Sequence, residues 1–158
     1  MKTLVVGLGN PILGDDGVGW RVAEEVKRQL TPPSQDVDVV CVSLGGISLM
    51  EHLIGYERAI LIDAFALDEP IGSILVLKLS DLPNYSAFHT TSTHDTSLQN
   101  AIELGKSMGA QLPEDVMVVG IATRHVYDFS EELSPPVADA VLQAVHIVLN
   151  FLKQKMSM

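Results

Sequence analysis

Two adjacent carboxylates lie in a glycine-rich segment near the start of the chain, Gly7-Leu8-Gly9-Asn10-Pro11-Ile12-Leu13-Gly14-Asp15-Asp16-Gly17-Val18-Gly19. A turn followed by a capped helix would explain one acid and one or two glycines, but five glycines and two acids in thirteen residues exceed that need. A helix is predicted directly after the segment. Because the free N–H groups at a helix N-terminus favour negative charge, we expect Asp16 to stay ionised, as a metal ligand must.

Two further polar side chains come at places where they could join Asp16. Asp63 ends the apolar run 59–62, and His94 lies in a loop just before a predicted helix. Taken singly, such an acid can bind loop N–H groups and such a histidine can be solvated. The carboxyl ends of strands in an open α/β sheet border one crevice, however, so the three side chains can meet there. Two carboxylates and one imidazole suit Zn, Ni or Fe-type ions better than Mg, and three ligands leave one coordination position open.

Other candidate residues are weaker. His89 shares a loop with His94, and His125 follows the last predicted strand, so either could line the same crevice, in roles that the sequence does not decide. The pair Gly45-Gly46 fits either a close backbone approach or an ordinary turn. Cys41 is the only cysteine, which excludes a disulfide or a Cys-based zinc site within one chain, and its apolar strand favours packing over catalysis.

Nucleotide-binding loops do not fit the glycine-rich segment. A dinucleotide loop needs G-x-G-x-x-G, but Ile12 occupies the third glycine position, and a phosphate-binding loop would need a lysine. Peptidyl-tRNA hydrolases share Gly-Leu-Gly-Asn-Pro, but continue with Gly where this chain has Ile12, and their Thr-Arg-His-Asn segment comes much earlier than Thr123-Arg124-His125 does here. An excess of 20 acids over 10 bases, with a net charge of -10, also argues against a nucleic-acid partner.

Apolar runs and helical spacing predict the elements that would position these residues. Strands are predicted at 4–6, 37–42, 59–62, 74–77 and 116–121, and helices at 18–30, 48–54, from about Leu98 and from about Pro135. Asp95 or Thr96 is the expected N-cap of the third helix, and Ser134 that of the last. This alternation predicts an α/β sandwich with a mostly parallel sheet. The link from Ile62 to Ile74 is too short for a crossover helix, so we expect an antiparallel fourth strand.

Composition sets the class of protein. The chain has 158 residues, 47% of them hydrophobic, which predicts a single globular domain over 1–158. The lone cysteine suits a reducing compartment. No apolar run approaches the length of a membrane span, and the few apolar residues before Gly7 are too short for a signal peptide. We therefore expect a cytoplasmic protein without a membrane partner.

Taken together, these motifs resemble those of the hydrogenase maturation proteases over nearly the full chain. The resemblance rests on Gly7-x-Gly9-Asn10, on Gly14-Asp15-Asp16-Gly17-x-Gly19, on Gly45-Gly46, on Asp63 and on His94. It implies a twisted five-stranded sheet with helices on both faces, a three-layer sandwich. One departure is Ile47, because family members often have Thr after the paired glycines.

The resemblance also implies an activity. These proteases remove a C-terminal extension from the nickel-loaded precursor of the [NiFe] hydrogenase large subunit, cutting after the histidine or arginine that follows the last Cys-x-x-Cys motif. Acids at the Asp16 and Asp63 positions and a histidine at the His94 position form the metal-binding trio. The nickel is then brought by the substrate precursor and is not a resident cofactor.

Several alternatives stay open at this point. The metal could polarise the scissile carbonyl or a water, or Asp16 or Asp63 could act as general base on a water in the manner of an acid protease. We prefer nickel recognition with carboxylate-assisted attack by water. A non-catalytic metal-binding or chaperone-like module and a nucleotide-binding regulator are the other function classes, and the acidic first loop disfavours the regulator.

Overall fold

The computed structural model describes residues 2–30, 36–43, 45–82, 97–124 and 128–154. Five strands form one sheet: β1 (Thr3–Leu8), β2 (Val37–Val42), β3 (Arg58–Ala66), β4 (Ile74–Lys78) and β5 (Asp115–Thr123). Four helices connect or flank them: α1 (Val18–Gln29), α2 (Gly46–Leu53), α3 (Leu98–Ser107) and α4 (Pro135–Gln154). Short 3-10 turns lie at Gly14–Gly17 and Leu79–Asp81.

The strand order is β2-β1-β3-β5-β4. The first three pairs of neighbours in that order are parallel, and β4 runs antiparallel to β5. The prediction of a mostly parallel sheet with one antiparallel strand is therefore confirmed. The short link between Ala66 and Ile74 leaves no room for the crossover that a parallel pair requires.

Helices cover both faces of the sheet, as predicted. One core cluster joins α2 and α3 to alternate residues of the strands, including Leu49, Ala101, Leu61 and Phe65. The other joins α1 and α4 to the remaining strand residues, including Val22, Val148 and Ile62. This alternation between two buried faces explains why the central strands read as continuous apolar runs.

The last helix begins where its sequence predicts. The Ser134 carbonyl accepts a hydrogen bond from the Ala138 N–H at 2.8 Å, and Pro135 and Pro136 occupy the first turn. By length and composition α4 could cross a membrane, but core helices pass the same test. Its buried stripe, which includes Val137, packs against the sheet and α1.

The N-cap of α3 differs from the prediction. Ser97, rather than Asp95 or Thr96, holds that position, and its hydroxyl accepts a hydrogen bond from the Asn100 N–H at 3.2 Å. Leu98 is then the first helical residue and is buried beneath the helix. The periodicity located this helix correctly, but three adjacent residues with capping side chains left its first residue ambiguous.

Candidate active site

The glycine-rich segment folds as a tight loop, and the start of α1 packs directly against the sheet. Gly9 has φ +133°, and a Cβ there would lie 1.9 Å from the Asp16 carbonyl oxygen. A Cβ on Gly19 would lie 2.3 Å from the Ile62 carbonyl oxygen and 2.4 Å from that of Leu8. These glycines are thus required by close packing, which brings the turn carrying Asp16 against the ends of β1 and β3.

Asp16 lies in the 3-10 turn that precedes α1 and is 5% exposed. Its Oδ2 atom accepts a hydrogen bond from the Asn10 N–H at 2.9 Å, and its own N–H donates to the Leu13 carbonyl at 3.1 Å. Asn10 therefore fixes the carboxylate of Asp16, and Leu13 fixes its backbone. The position before a helix N-terminus suits its negative charge.

Asp63 is 1% exposed, and its Oδ1 atom accepts a hydrogen bond from the Ala64 N–H at 2.8 Å. It does not end β3, as the sequence predicted, because pairing with β5 carries the strand on to Ala66. The pairing with β1, in contrast, stops at Ile62. Asp63 is thus the first residue of β3 after its pairing with β1 stops, and the 3-10 turn of Asp16 packs against this strand.

The structure places both predicted carboxylates at one end of the sheet. Because Ile62 and Ala64 lie in the cluster beneath α1 and α4, strand alternation directs Asp63 towards the face covered by α2 and α3. His94, His89 and His125 lie outside the described residues. Within the described part of the chain, no three His, Cys, Asp or Glu side chains come together as a metal site.

Asp15 has a role that the sequence analysis missed. Its Oδ1 atom accepts a hydrogen bond from the Ser134 N–H and its Oδ2 atom one from the Ser134 hydroxyl, both at 2.7 Å. The carboxylate therefore caps the start of α4 from another part of the chain. Adjacency to Asp16 was the only local signal, since the partner is distant in sequence.

The surroundings of Cys41 do not favour a nucleophilic thiolate. It is half-buried in β2, and burial, with a smaller contribution from the Glu24 carboxylate, raises the pKa of its thiol to about 11. The thiolate, which is the reactive form, is therefore scarce at neutral pH. This agrees with the sequence-based interpretation of Cys41 as a packing residue.

Comparison with known proteins points to one family. The sequence profile of the hydrogenase maturation proteases matches residues 20–151, a span that includes Asp63 and begins just after Asp16. A putative hydrogenase maturation protease of Methanocaldococcus jannaschii is 27% identical, over 96% of this chain and 96% of that protein. The hydrogenase expression/formation protein HupD of Bradyrhizobium diazoefficiens is 25% identical, over 97% of this chain and 79% of its own length.

Solved structures agree with the sequence comparison. The hydrogenase 2 maturation peptidase of a Thaumarchaeota archaeon is 30% identical with a TM-score of 0.68, over 96% of this chain and 98% of that one. The hydrogenase-maturating endopeptidase HybD of E. coli shares the fold, with a TM-score of 0.76 at 20% identity, over 98% of this chain and 94% of that one. The chain therefore belongs to the hydrogenase maturation protease family and is a peptidase of hydrogenase maturation.

Proposed function

We propose that this protein removes the C-terminal extension of a nickel-loaded [NiFe] hydrogenase large-subunit precursor, and that Asp16, Asp63 and His94 recognise the nickel. One observation carries the site assignment: two buried carboxylates from distant parts of the chain lie at the same carboxyl end of a parallel sheet. Burial of a carboxylate costs desolvation free energy even where backbone N–H groups bind it, so two buried carboxylates at one end of the sheet favour a functional role.

The position of α3 supports His94 as the third member of the site. Asp63 faces the side of the sheet that α3 covers, and His94 precedes the first residue of α3, Leu98, by four positions. Leu98 belongs to the same core cluster as Phe65, two residues beyond Asp63. The helix that follows His94 in the chain therefore packs on the face of the sheet towards which Asp63 is directed.

Two oxygen donors and one imidazole suit a borderline metal ion such as nickel. The nickel is cargo of the substrate, and the role of the trio is to test whether the precursor has been loaded. Hydrolysis then requires a water molecule, from which Asp16 or Asp63 takes a proton as it attacks the scissile carbonyl. General-base catalysis of this kind contributes about 10²–10⁴-fold to a rate.

The test is to incubate the protein with large-subunit precursor, with and without nickel, and to follow the mass of the product. We expect cleavage of the loaded precursor only. Asp16→Asn, Asp63→Asn and His94→Ala should each lower the rate by about 10²-fold or more. Asp139→Asn is a matched control, because Asp139 is an exposed acid on α4, and it should cleave at the wild-type rate.

Different results would contradict nickel recognition, the assignment of the site residues and the peptidase activity. Cleavage that ignores nickel would refute nickel recognition, and normal cleavage by all three variants would refute the site. Tight binding of the precursor without any change in its mass would identify a chaperone-like module in place of a peptidase.

A further inference from the structure

Two exposed apolar side chains lie next to the loop that carries Asp16. Phe129 is 84% exposed and Ile12 is 49% exposed. Leu13 forms a parallel β-bridge with Ser130, so the preceding residues, Ile12 and Phe129, are also neighbours across the bridge. We call these two side chains the Ile12–Phe129 patch. Burial of these two adjacent apolar side chains against a partner would be favourable.

Backbone hydrogen bonds hold the patch in place. The Ser130 N–H donates to the Ile12 carbonyl at 2.9 Å, and the Gly14 N–H donates to the Ser130 carbonyl at 2.8 Å. Asp15 adds the two hydrogen bonds from Ser134 described above. These hydrogen bonds fix the backbone on both sides of the bridge, which favours a preorganised contact surface.

Charged side chains around the patch restrict what it can bind. Asp128, Glu131 and Glu132, from the same loop as Phe129, are all exposed, and they outnumber the Arg21 guanidinium, which donates a hydrogen bond to the Glu131 carbonyl. An apolar contact within an acidic rim is complementary to an apolar side chain that has basic neighbours. A wholly apolar partner would bring no charge to meet these carboxylates.

We propose that the Ile12–Phe129 patch binds an apolar side chain of the precursor, in a segment with basic residues, and thereby positions the scissile bond near Asp16. This inference rests on the proposed function. The link between patch and carboxylate is short: Ile12 and Asp16 belong to one loop, in which the Ile12 N–H donates to the Asn10 side chain at 3.1 Å and the Asn10 N–H to Asp16 at 2.9 Å. The patch is an anchor for the substrate, and it touches no reacting atom.

The test compares Phe129→Ala with wild type in steady-state cleavage of the nickel-loaded precursor. Loss of one central aromatic contact should raise KM by about 10-fold, with kcat nearly unchanged. Phe129→Leu should restore most of the affinity. Met108→Ala is the matched control, because Met108 is 78% exposed at the far end of α3, and its KM should equal that of wild type.

A second measurement isolates binding from cleavage. In the Asp16→Asn background, the precursor Kd measured by calorimetry should rise about 10-fold with Phe129→Ala. The triple substitution Asp128→Asn, Glu131→Gln, Glu132→Gln should weaken binding at low salt and reduce its salt dependence.

Failure of this inference is distinct from failure of the proposed function. If wild type cleaves the loaded precursor and Phe129→Ala does so with the same KM, the patch has no substrate role. If sedimentation shows a wild-type dimer that Phe129→Ala converts to a monomer without a change in KM, the patch binds a second copy of this chain instead. If wild type neither binds nor cleaves the precursor, the proposed function itself is wrong.

Discussion

Asp16 and Asp63 are the only acidic side chains buried among the residues that the structure describes. Most of the 20 acidic residues lie at the surface, where they cost little and contribute to solubility. A buried carboxylate costs more desolvation free energy than a neutral isostere does, and the backbone N–H donors of Asp16 and Asp63 offset only part of that cost. Two buried carboxylates at one end of the sheet are therefore expected where a functional site lowers the stability of the fold.

Neutral isosteres of these two carboxylates should not lower the stability of the fold. Asp16→Asn and Asp63→Asn should leave the melting temperature equal to that of wild type or raise it, while cleavage is lost. Differential scanning calorimetry of both variants provides the measurement. A drop of several degrees in both would contradict the view that these carboxylates are retained for chemistry.

The protonation state of Cys41 leads to a second prediction at this scale. Because burial raises the pKa of its thiol to about 11, iodoacetamide should react slowly with the folded protein at pH 7 and faster as the pH approaches 11. Cys41→Ser should cleave the precursor normally. Rapid alkylation at neutral pH with loss of activity would indicate a reactive thiol.

At the scale of elements, the contact between Asp15 and Ser134 joins the loop of the site to the start of α4. Asp15→Ala removes both hydrogen bonds, which should lower the free energy of unfolding by about 1–3 kcal/mol. The turn would also lose the support that places Asp16, so kcat should fall more than KM rises.

A graded series checks this positioning role. Ser134→Ala removes only the hydroxyl donor and should have a smaller effect than Asp15→Ala. Ser107→Ala is the matched control, because its hydroxyl donates to the Leu104 carbonyl at 2.7 Å in α3, away from the site. Equal kcat in Asp15→Ala and wild type, after correction for the folded fraction, would show that Asp15 serves stability alone.

Elements that depend only on the composition and length of their own segment could be predicted from the sequence. Apolar runs located all five strands, and the short connection after β3 predicted the direction of β4, because these depend on composition and length. The end of β3 was misplaced since its extension to Ala66 depends on pairing with β5, a non-local interaction. Asp15 was missed for the same reason: its partner is Ser134, far along the chain.

At the scale of the whole molecule, the candidate site and a buried arginine lie at opposite ends of the sheet. Asp16 and Asp63 lie at its carboxyl end, whereas Arg58 begins β3 at the opposite end. Arg58 is 8% exposed, its guanidinium lies 5.9 Å from the centre of the Phe151 ring, and its Nε is 3.6 Å from Asp115 Oδ2. This buried arginine ties α4 to the sheet far from the candidate site.

The separation predicts that stability can be changed without changing catalysis. Arg58→Ala should lower the free energy of unfolding by about 0.5–3 kcal/mol through lost packing. At a temperature where the variant is fully folded, its kcat/KM should match wild type. Urea unfolding and cleavage assays on the same preparation test this, and a selective loss of kcat/KM would show that the two ends are coupled.

The pairing of Asp15 with Ser134 spans 119 positions of the chain and has a consequence for biosynthesis. The ribosome synthesises Asp15 119 residues before Ser134, the residue that supports its loop. A nascent chain that has not yet been extended to Ser134 thus carries Asp16 in a loop that lacks its contact with the start of α4. The loop should therefore reach its final geometry only after Ser134 has left the ribosome and can donate its two hydrogen bonds to Asp15.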